Sequence, residues 1–184
     1  MKLLDAVNLI LPKLGEHSVT RLDLKHPTLA LILPEVENEL ITTLLKGWWF
    51  NEFVYTAHPD FEGKITLGTE VLKFLPTDGT YCVMRGMALY DPDTLSYVWT
   101  APIKGIVTQR VLFEELPETA AQYVWYSALV SVYITDLGIT QDVQAWQTKA
   151  GAAHTQMLAE HVRQRKYSTR QSARFQRITS ALRG

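Results

Sequence analysis

The sequence predicts an α+β protein: a bundle of about four helices, two N-terminal and two C-terminal, an inserted antiparallel β-rich lobe, and an extended or helical C-terminal arm. Apolar residues recur at spacings of three and four near both ends of the chain, as in amphipathic helices. The middle third is rich in aromatic and β-branched residues broken by turn sequences, as in short strands. The last 24 residues contain seven basic and no acidic residues.

The composition is that of a globular domain. A chain of 184 residues, 47% hydrophobic and 20% charged, can bury about two-thirds of its unfolded surface without help from a disulfide or a metal. Extended disorder and fibrous repeats are excluded. The single cysteine, Cys82, excludes an intrachain disulfide and thiolate zinc sites.

The N-terminus does not have the pattern of a signal peptide. The longest apolar run, residues 29–33, is far shorter than the roughly 20 residues of a membrane helix. We therefore expect a soluble protein with no membrane partner, in a compartment that keeps thiols reduced.

The net charge of −1 is the sum of an acidic body and a basic C-terminal segment. Residues 1–160 hold all nineteen acidic residues and eleven of the eighteen basic ones, for a net charge of −8, whereas residues 161–184 carry +7. Such asymmetry concerns partners more than fold.

The first helix is predicted over residues 3–14, where Pro12 shortens its last turn and Gly15 ends it. Val19 and Leu22 are expected to pin the polar loop that follows. The second helix covers residues 29–44, with Thr28 as its N-cap. Because Pro34 lies inside it, the helix is either kinked there or well formed only from there onward.

Residues 48–113 form the predicted β-rich lobe. Strands are expected near 48–56, 64–67, 71–75, 81–90, 95–99 and 106–113, separated by Gly, Pro and Asp turns. Gly86, inside the fourth of these strands, indicates a bulge or a close backbone approach.

The third helix is predicted to begin at Pro117 and to end at Gly138, and the fourth runs from Thr140 to about Val162. The small residues 150–153 of the fourth helix would allow another helix to pack closely. The predicted organisation is a bundle of residues 1–47 and 114–166, a lobe of residues 48–113, and an arm of residues 167–184.

No catalytic or cofactor-binding constellation emerges from the motifs, and we predict no cofactor and no enzymatic activity. His58, Asp60 and Glu62 alternate like metal ligands, but Pro59 and Gly63 favour a turn. Asp91-Pro92-Asp93-Thr94 resembles a pair of carboxylates and is also a favourable turn.

Three further residues carry reactive or metal-binding side chains. Cys82 lies in an apolar run and reads as a core residue. His154 and His161 share a helix face, but two histidines without a third ligand are weak evidence for a metal site.

The C-terminal arm gives a stronger indication of function than these candidate catalytic and metal-binding residues. Arg163, Arg170, Arg174 and Arg177 recur at spacings of seven, four and three, so they share one face if the helix continues. Phe175, Ile178 and Leu182 then form a narrow apolar edge. The arm is interpreted as a segment that orders on an acidic protein surface or on nucleic acid; the alternative is a solvated terminus.

Several motifs, in order and at matching spacing, resemble the tail tubular protein A family of short-tailed bacteriophages. The resemblance covers about residues 3–165. It begins with residues 6–16 and continues with residues 63–67 and with Leu116-Pro117-Glu118. Its most specific elements are Gly47-Trp48-Trp49-Phe50-Asn51 and an Arg85-Gly86 pair followed by Tyr90-Asp91.

The resemblance implies a non-enzymatic virion protein made in the host cytoplasm. Twelve copies would form an adaptor ring between the portal protein and the tail nozzle protein, completing a channel for genomic DNA. The acidic charge of residues 1–160 indicates that the DNA passes without specific binding, because a basic wall would bind its phosphates. The C-terminal segment would dock on the portal. The residues assigned to that contact are Arg163, Arg165, Lys166, Arg170, Arg174, Phe175, Arg177 and Ile178.

Two alternatives stay open. The basic arm could make the chain a nucleic-acid-binding module with steeply salt-dependent affinity. The carboxylates of Asp60, Glu62, Asp91 and Asp93 could serve a tail-associated polysaccharide hydrolase, which needs two carboxyls about 5–10 Å apart.

Overall fold

The α+β class is confirmed by the computed structural model, which describes residues 1–23 and 25–165. In this part of the chain the helices are α1 (Leu3–Ile10), α2 (Pro27–Leu44), α3 (Glu118–Leu137) and α4 (Gln141–Gln164). The strands are β1 (Glu52–Ala57), β2 (Val71–Pro76), β3 (Val83–Arg85), β4 (Ala88–Tyr90) and β5 (Ile103–Gln109). None of these helices is long and apolar enough to cross a bilayer.

Helix α3 is the centre of the bundle and packs against both α2 and α4. Its residues Val124 and Leu129 join one hydrophobic core with residues of the other three helices, among them Val7, Ile10, Ile32, Leu44 and Met157. Polar side chains also link the helices: the Trp125 indole donates to the Ala6 carbonyl at 2.8 Å, and the Thr119 hydroxyl donates to Glu160 at 2.8 Å.

The predicted ends of the first helix are confirmed. The α-helical part stops at Ile10, and a 3₁₀ turn over Leu11–Leu14 follows, with Pro12 near its start. Gly15 ends this turn in the left-handed region at φ +80°, which glycine adopts without the steric cost of a Cβ. Val19 and Leu22 pack on the bundle core as predicted.

The start of the second helix differs from the prediction. It begins at Pro27 with His26 as the N-cap, because proline suits the first helical position. Thr28 is therefore inside the first turn, where its hydroxyl donates to Glu16 at 3.3 Å. The helix runs unbroken through Pro34, whose exposed position lets water replace the lost backbone hydrogen bond.

The lobe has a three-stranded antiparallel sheet in the order β1-β5-β2 and a two-stranded sheet of β3 and β4. One face of the larger sheet carries Phe74, Ile103 and Val107 into a second hydrophobic core. Ile65 and Leu89 complete this core from outside the sheet.

Several predicted strands of the lobe were wrong in extent. Residues 48–51 form a turn before β1, and residues 64–67 and 95–99 make only isolated bridges. The predicted strand 81–90 is a hairpin, because Gly86, at φ +60°, reverses the chain. The last strand spans Ile103–Gln109 and is followed by a 3₁₀ turn at Phe113–Glu115.

Candidate assembly surfaces

The Gly47–Asn51 motif forms the corner at which the chain leaves the bundle and enters the lobe. Gly47 has φ +76°, and a Cβ there would overlap the side chain of Glu52. Only glycine combines this backbone conformation with the available space. Trp48 then turns into the bundle, where it is 3% exposed and donates its indole N–H to the Thr43 carbonyl at 2.8 Å.

Two histidines of α4 pack against this tryptophan. The rings of His154 and His161 lie edge-on to Trp48, at centroid distances of 6.0 and 5.4 Å. Trp49 packs against Phe50 at 4.9 Å and against His161 at 6.2 Å. The shared helix face that the sequence indicated for the two histidines thus serves aromatic packing.

Partial burial lowers the pKa of both imidazoles. For His154 desolvation is the larger cause and the charge of Lys46 adds to it. For His161 desolvation is again the larger cause, followed by the charge of Arg165, while Glu52 opposes both. Both groups are therefore held more strongly in the neutral form than a solvated histidine.

Asn51 fixes the corner through its buried side chain, which is 2% exposed. Its Oδ1 accepts from the Trp48 backbone N–H at 2.7 Å. Its Nδ2 donates to the carbonyls of Leu44 and Gln109, both at 3.0 Å. One amide therefore joins α2, the entry to the lobe and the end of β5. The sequence motif marked this residue without revealing the role of its side chain.

The Arg85–Asp91 motif forms the β3–β4 hairpin. The Arg85 guanidinium stacks on the Tyr90 ring at 3.6 Å from its centroid, an attractive cation–π geometry. Tyr90 also contacts Tyr97 at 4.9 Å. Gly86 makes the turn, and no heavy atom lies within 4 Å of the position a Cβ would take. The expectation of a bulge or a close backbone approach at Gly86 was therefore wrong.

The carboxylates of Asp60 and Asp91, considered above for metal binding and catalysis, stabilise turns. Asp60 Oδ1 accepts from the backbone N–H groups of Glu62 and Lys64. Asp91 accepts from the Asp93 backbone N–H at 2.9 Å and from the Thr94 hydroxyl at 2.8 Å. The Thr94 hydrogen bond lowers the pKa of Asp91, the opposite of what a general acid needs.

Other reactive groups do not assemble into a site. Within residues 1–23 and 25–165, no cluster of three His, Cys, Asp or Glu side chains could hold a metal ion. Cys82 is half-buried against the lobe core, and this burial raises the pKa of its thiol, so the thiol stays protonated and weakly nucleophilic at neutral pH.

Two of the assigned portal-binding residues lie within the described part of the chain. Arg163 is exposed in the last turn of α4. Arg165, directly after α4, forms an ion pair with Glu52 at the start of β1. The other six, Lys166, Arg170, Arg174, Phe175, Arg177 and Ile178, lie outside the described residues.

The outer face of the three-stranded sheet carries an apolar row that the sequence analysis missed. Val54 of β1 and Leu75 of β2 both stand opposite Ile106 of β5, so the three side chains project from the same face. Val54 is 64% and Leu75 52% exposed. The signal was present in Phe53-Val54-Tyr55, since consecutive apolar residues in a strand indicate two apolar faces.

The neighbouring row of the same face is buried at its centre and exposed at Lys73. Glu52 stands opposite Thr108, and Thr108 stands opposite Lys73. Thr108 is 1% exposed, and its hydroxyl donates to Glu52 at 3.4 Å. Arg165 pairs with Glu52 of this row and, with Glu52, Val54 and Ile106, lines a cavity of about 200 Å³.

Comparison of the sequence with known proteins identifies its family. Residues 4–167 match the family model described as tail tubular protein. The chain is also 30% identical over 183 residues to the tail tubular protein A of Klebsiella phage KP34, covering 98% of both chains. The chain described here therefore belongs to the tail tubular protein family and is a structural component of a bacteriophage tail.

Proposed function

We propose that the chain is the adaptor that joins the portal protein to the tail nozzle protein, as a ring of twelve copies around the DNA ejection channel. The observation that carries this proposal is the match to tail tubular protein A along 98% of both chains. A chain without a large insertion or deletion relative to that protein has the elements to occupy the same place in a tail.

The charge of the body supports a channel role. Residues 1–160 carry a net charge of −8. A basic wall would bind phosphates and slow the passage of DNA, whereas an acidic ring repels them. DNA therefore passes the ring without a specific contact.

Exposed apolar side chains support assembly into a ring. Leu31 of α2 is 53% exposed and Ile139, between α3 and α4, is 81% exposed. In the lobe, Phe61 is 96% exposed at a turn. Exposed apolar side chains on both the bundle and the lobe suit head-to-tail contacts, which close into a ring when repeated around an axis.

The portal contact is assigned to the end of α4 and the arm that follows. Arg163 begins this surface on α4, and Lys166, Arg170, Arg174 and Arg177 continue it with Phe175 and Ile178. Arg165 differs from these residues because it is paired with Glu52. Its guanidinium must leave Glu52 before it can bind a carboxylate of the portal. Contacts between charges should weaken with added salt, as screening requires.

Electron microscopy of the purified chain mixed with its portal tests the proposal. Wild-type chain should form rings on the portal. Replacing Arg170, Arg174 and Arg177 by glutamate in the full chain should abolish binding, with melting behaviour unchanged. A matched control replaces three exposed basic residues of the body, Lys13, Arg21 and Lys25, by glutamate and should bind normally.

Two results would contradict the proposal. Absence of any ring on the portal would refute the adaptor function. Equal loss of binding in the control would show that net charge alone, rather than the arm, determines attachment. Binding of duplex DNA with a steep salt dependence, without portal binding, would instead favour a nucleic-acid-binding module.

A further inference from the structure

The outer edge of β1 is open to another strand. In the sheet order β1-β5-β2, β1 pairs only with β5. The Gln109 N–H donates to the Asn51 carbonyl at 2.8 Å, and hydrogen-bonded pairs alternate from there along the two antiparallel strands, so the odd-numbered residues of β1 bond to β5. The backbone groups of Val54 and Thr56 and the carbonyl of Glu52 therefore face outward, and in the described part of the chain they have no hydrogen-bond partner.

The two edges of this sheet differ in their protection. Strand β2 carries Lys73 and Pro76, and its register shifts between Val71 and Lys73. A lysine, a proline and an irregular register each discourage pairing at a sheet edge. Strand β1 has neither lysine nor proline, and its six residues pair with β5 without a register shift. The edge that can accept a further strand is therefore that of β1.

Apolar side chains lie on both faces of this edge. Phe53 and Tyr55 are each 45% exposed, and Val54 between them is 64% exposed. Because successive side chains of a strand project from opposite faces, Val54 lies on the outer face and the two aromatic rings lie on the inner one. A strand that joins β1 must therefore offer apolar side chains to both faces.

The edge carries no net charge. Its single ionised residue, Glu52, forms an ion pair with Arg165, and residues 53–57 are uncharged. Lys104 of β5 and Lys73 of β2 stand one and two strands away from the edge. The whole chain has a net charge of −1, so two copies repel each other only weakly. The edge therefore selects an uncharged apolar strand, and β1 of a second copy is such a strand.

We infer that β1 pairs with β1 of a second copy in the unassembled protein. The two strands run antiparallel about a two-fold axis between Val54 and the same residue of the second copy, and the two three-stranded sheets become one sheet of six strands. This inference goes beyond the proposed function, since it concerns the chain before it meets a portal.

The edge is complementary to itself in this register. Val54 exchanges both backbone hydrogen bonds with Val54 of the second copy, and each Thr56 N–H donates to the Glu52 carbonyl of the other copy. All these backbone groups face outward, so no hydrogen bond to β5 is lost. Phe53 then stands opposite Tyr55 of the other copy on the inner face, and cross-strand aromatic pairs of this kind stabilise a sheet.

The symmetry of this contact restricts it to the unassembled chain. A two-fold contact joins two copies and goes no further, whereas a ring needs a head-to-tail contact that repeats. Two short strands also bury less than the roughly 1,200 Å² of a stable interface, so we expect a Kd on the order of 0.1 mM. The pair therefore separates easily during assembly, and until then it protects an edge that favours aggregation when it is exposed.

Sedimentation velocity of the full chain measures the pairing. Between about 10 µM and about 1 mM the wild type should change from monomer to dimer, as the expected Kd requires. Val54→Lys should raise the Kd at least about tenfold, because like charges directly opposite each other destabilise a strand pair. The changed side chain is 64% exposed, so the circular dichroism spectrum should stay that of the wild type.

The matched control is Leu75→Lys. Leu75 lies in the same row of the same face as Val54 and is 52% exposed, but it is two strands, about 10 Å, away from the edge. This variant should keep the wild-type Kd. Equal weakening by both variants would show that sheet faces stack and would overturn the inference. A wild type that stays monomeric over the whole range would overturn it too and leave the edge to another protein.

A disulfide test measures the register. In a Cys82→Ser background, chains with Phe53→Cys are mixed with chains with Tyr55→Cys under mild oxidation. Bonds between unlike chains should exceed bonds between like chains at least about fivefold, because only the unlike pair stands directly opposite, within the Cα separation that a disulfide allows. An excess of like pairs, equal yields of both kinds or the lack of any bond would overturn the inference. None of these measurements involves a portal, so their outcome is independent of the adaptor function.

Discussion

At the scale of single residues, Asn51 connects the bundle to the lobe. Its side chain is bonded to three backbone groups that lie up to 58 residues away in sequence. An amide is suited to this place because it offers an acceptor and two donors from one small group. No apolar residue of similar size would satisfy the Trp48 N–H that it buries.

Replacing Asn51 by alanine should therefore lower the free energy of unfolding by about 2 kcal/mol, the cost of a buried donor left unsatisfied. Urea denaturation of the full chain measures this change. The matched control is Asn38→Ala at an exposed position of α2, which should be neutral or slightly stabilising because alanine favours helix. Equal losses in both variants would contradict the role assigned to Asn51.

The histidines that pack on Trp48 predict a pH dependence of stability. Their pKa values are lowered in the folded protein, so the unfolded chain takes up protons first as the pH falls. The contribution of the two neutral histidines to the free energy of unfolding is fully present above the ordinary histidine pKa of about 6.5. It is lost progressively as the pH falls through that value, and it levels off below the depressed folded pKa.

The melting temperature should accordingly fall between pH 7.5 and pH 5.5. The double variant His154→Gln/His161→Gln should show a smaller fall, because its two positions no longer titrate. His17→Gln, at an exposed site, serves as the control and should keep the wild-type pH dependence. A double variant with the same pH dependence as the wild type would count against these residues as its source.

At the scale of elements, the helices were predicted well and the strands poorly. A helix such as α3 is determined by its own periodicity and by the glycine at its end, both of which are local in sequence. The strands of the lobe depend on pairing with distant residues, so residues 64–67 form bridges where a strand was expected. The hairpin at residues 83–90 was missed because Gly86 was interpreted as a bulge or a close backbone approach within one strand.

Gly86→Ala tests the hairpin turn. The cost should be about 1 kcal/mol in the free energy of unfolding, because an L-residue with a Cβ is strained at positive φ and the surrounding space is open. Gly68→Ala is the control, since Gly68 is also exposed and open but does not have a positive φ. Gly68→Ala should be neutral or slightly stabilising. A neutral result at Gly86 in chemical denaturation would refute the strain.

The difference between local and long-range contacts also explains which parts of the assembly surfaces could be predicted. The motifs at Gly47–Asn51 and Arg85–Asp91 were visible in sequence because their residues are contiguous. The apolar row was not, because Val54, Leu75 and Ile106 meet only through the register of three strands. Likewise, nothing local indicated that Arg165 would pair with Glu52, 113 residues away.

At the scale of the whole molecule, the ion pair of Arg165 and Glu52 links the last helix of the bundle to the first strand of the lobe. Their side chains are only 28% and 18% exposed. A partly buried pair of this kind is less screened than a surface pair, and removing one partner leaves the other charge poorly solvated.

Arg165→Ala should therefore lower the free energy of unfolding by about 1–3 kcal/mol. Arg21→Ala provides the comparison, because Arg21 pairs with Asp23 where both side chains are about 70% exposed, and such a pair contributes less than about 1 kcal/mol. Thermal and urea unfolding of the two variants measure the difference. Identical losses would show that burial does not strengthen the Arg165 pair.

The two chain segments that connect the bundle to the lobe meet at Asn51, and this affects how such proteins can diversify. The chain enters the lobe at residue 51 and leaves it at residue 109, and these two residues are hydrogen-bonded to each other. A segment whose ends meet in this way can be lengthened, shortened or exchanged without moving the framework that carries it. Evolution can therefore remodel the turns at residues 58–63 and 91–96 as a cassette while the four helices keep their arrangement.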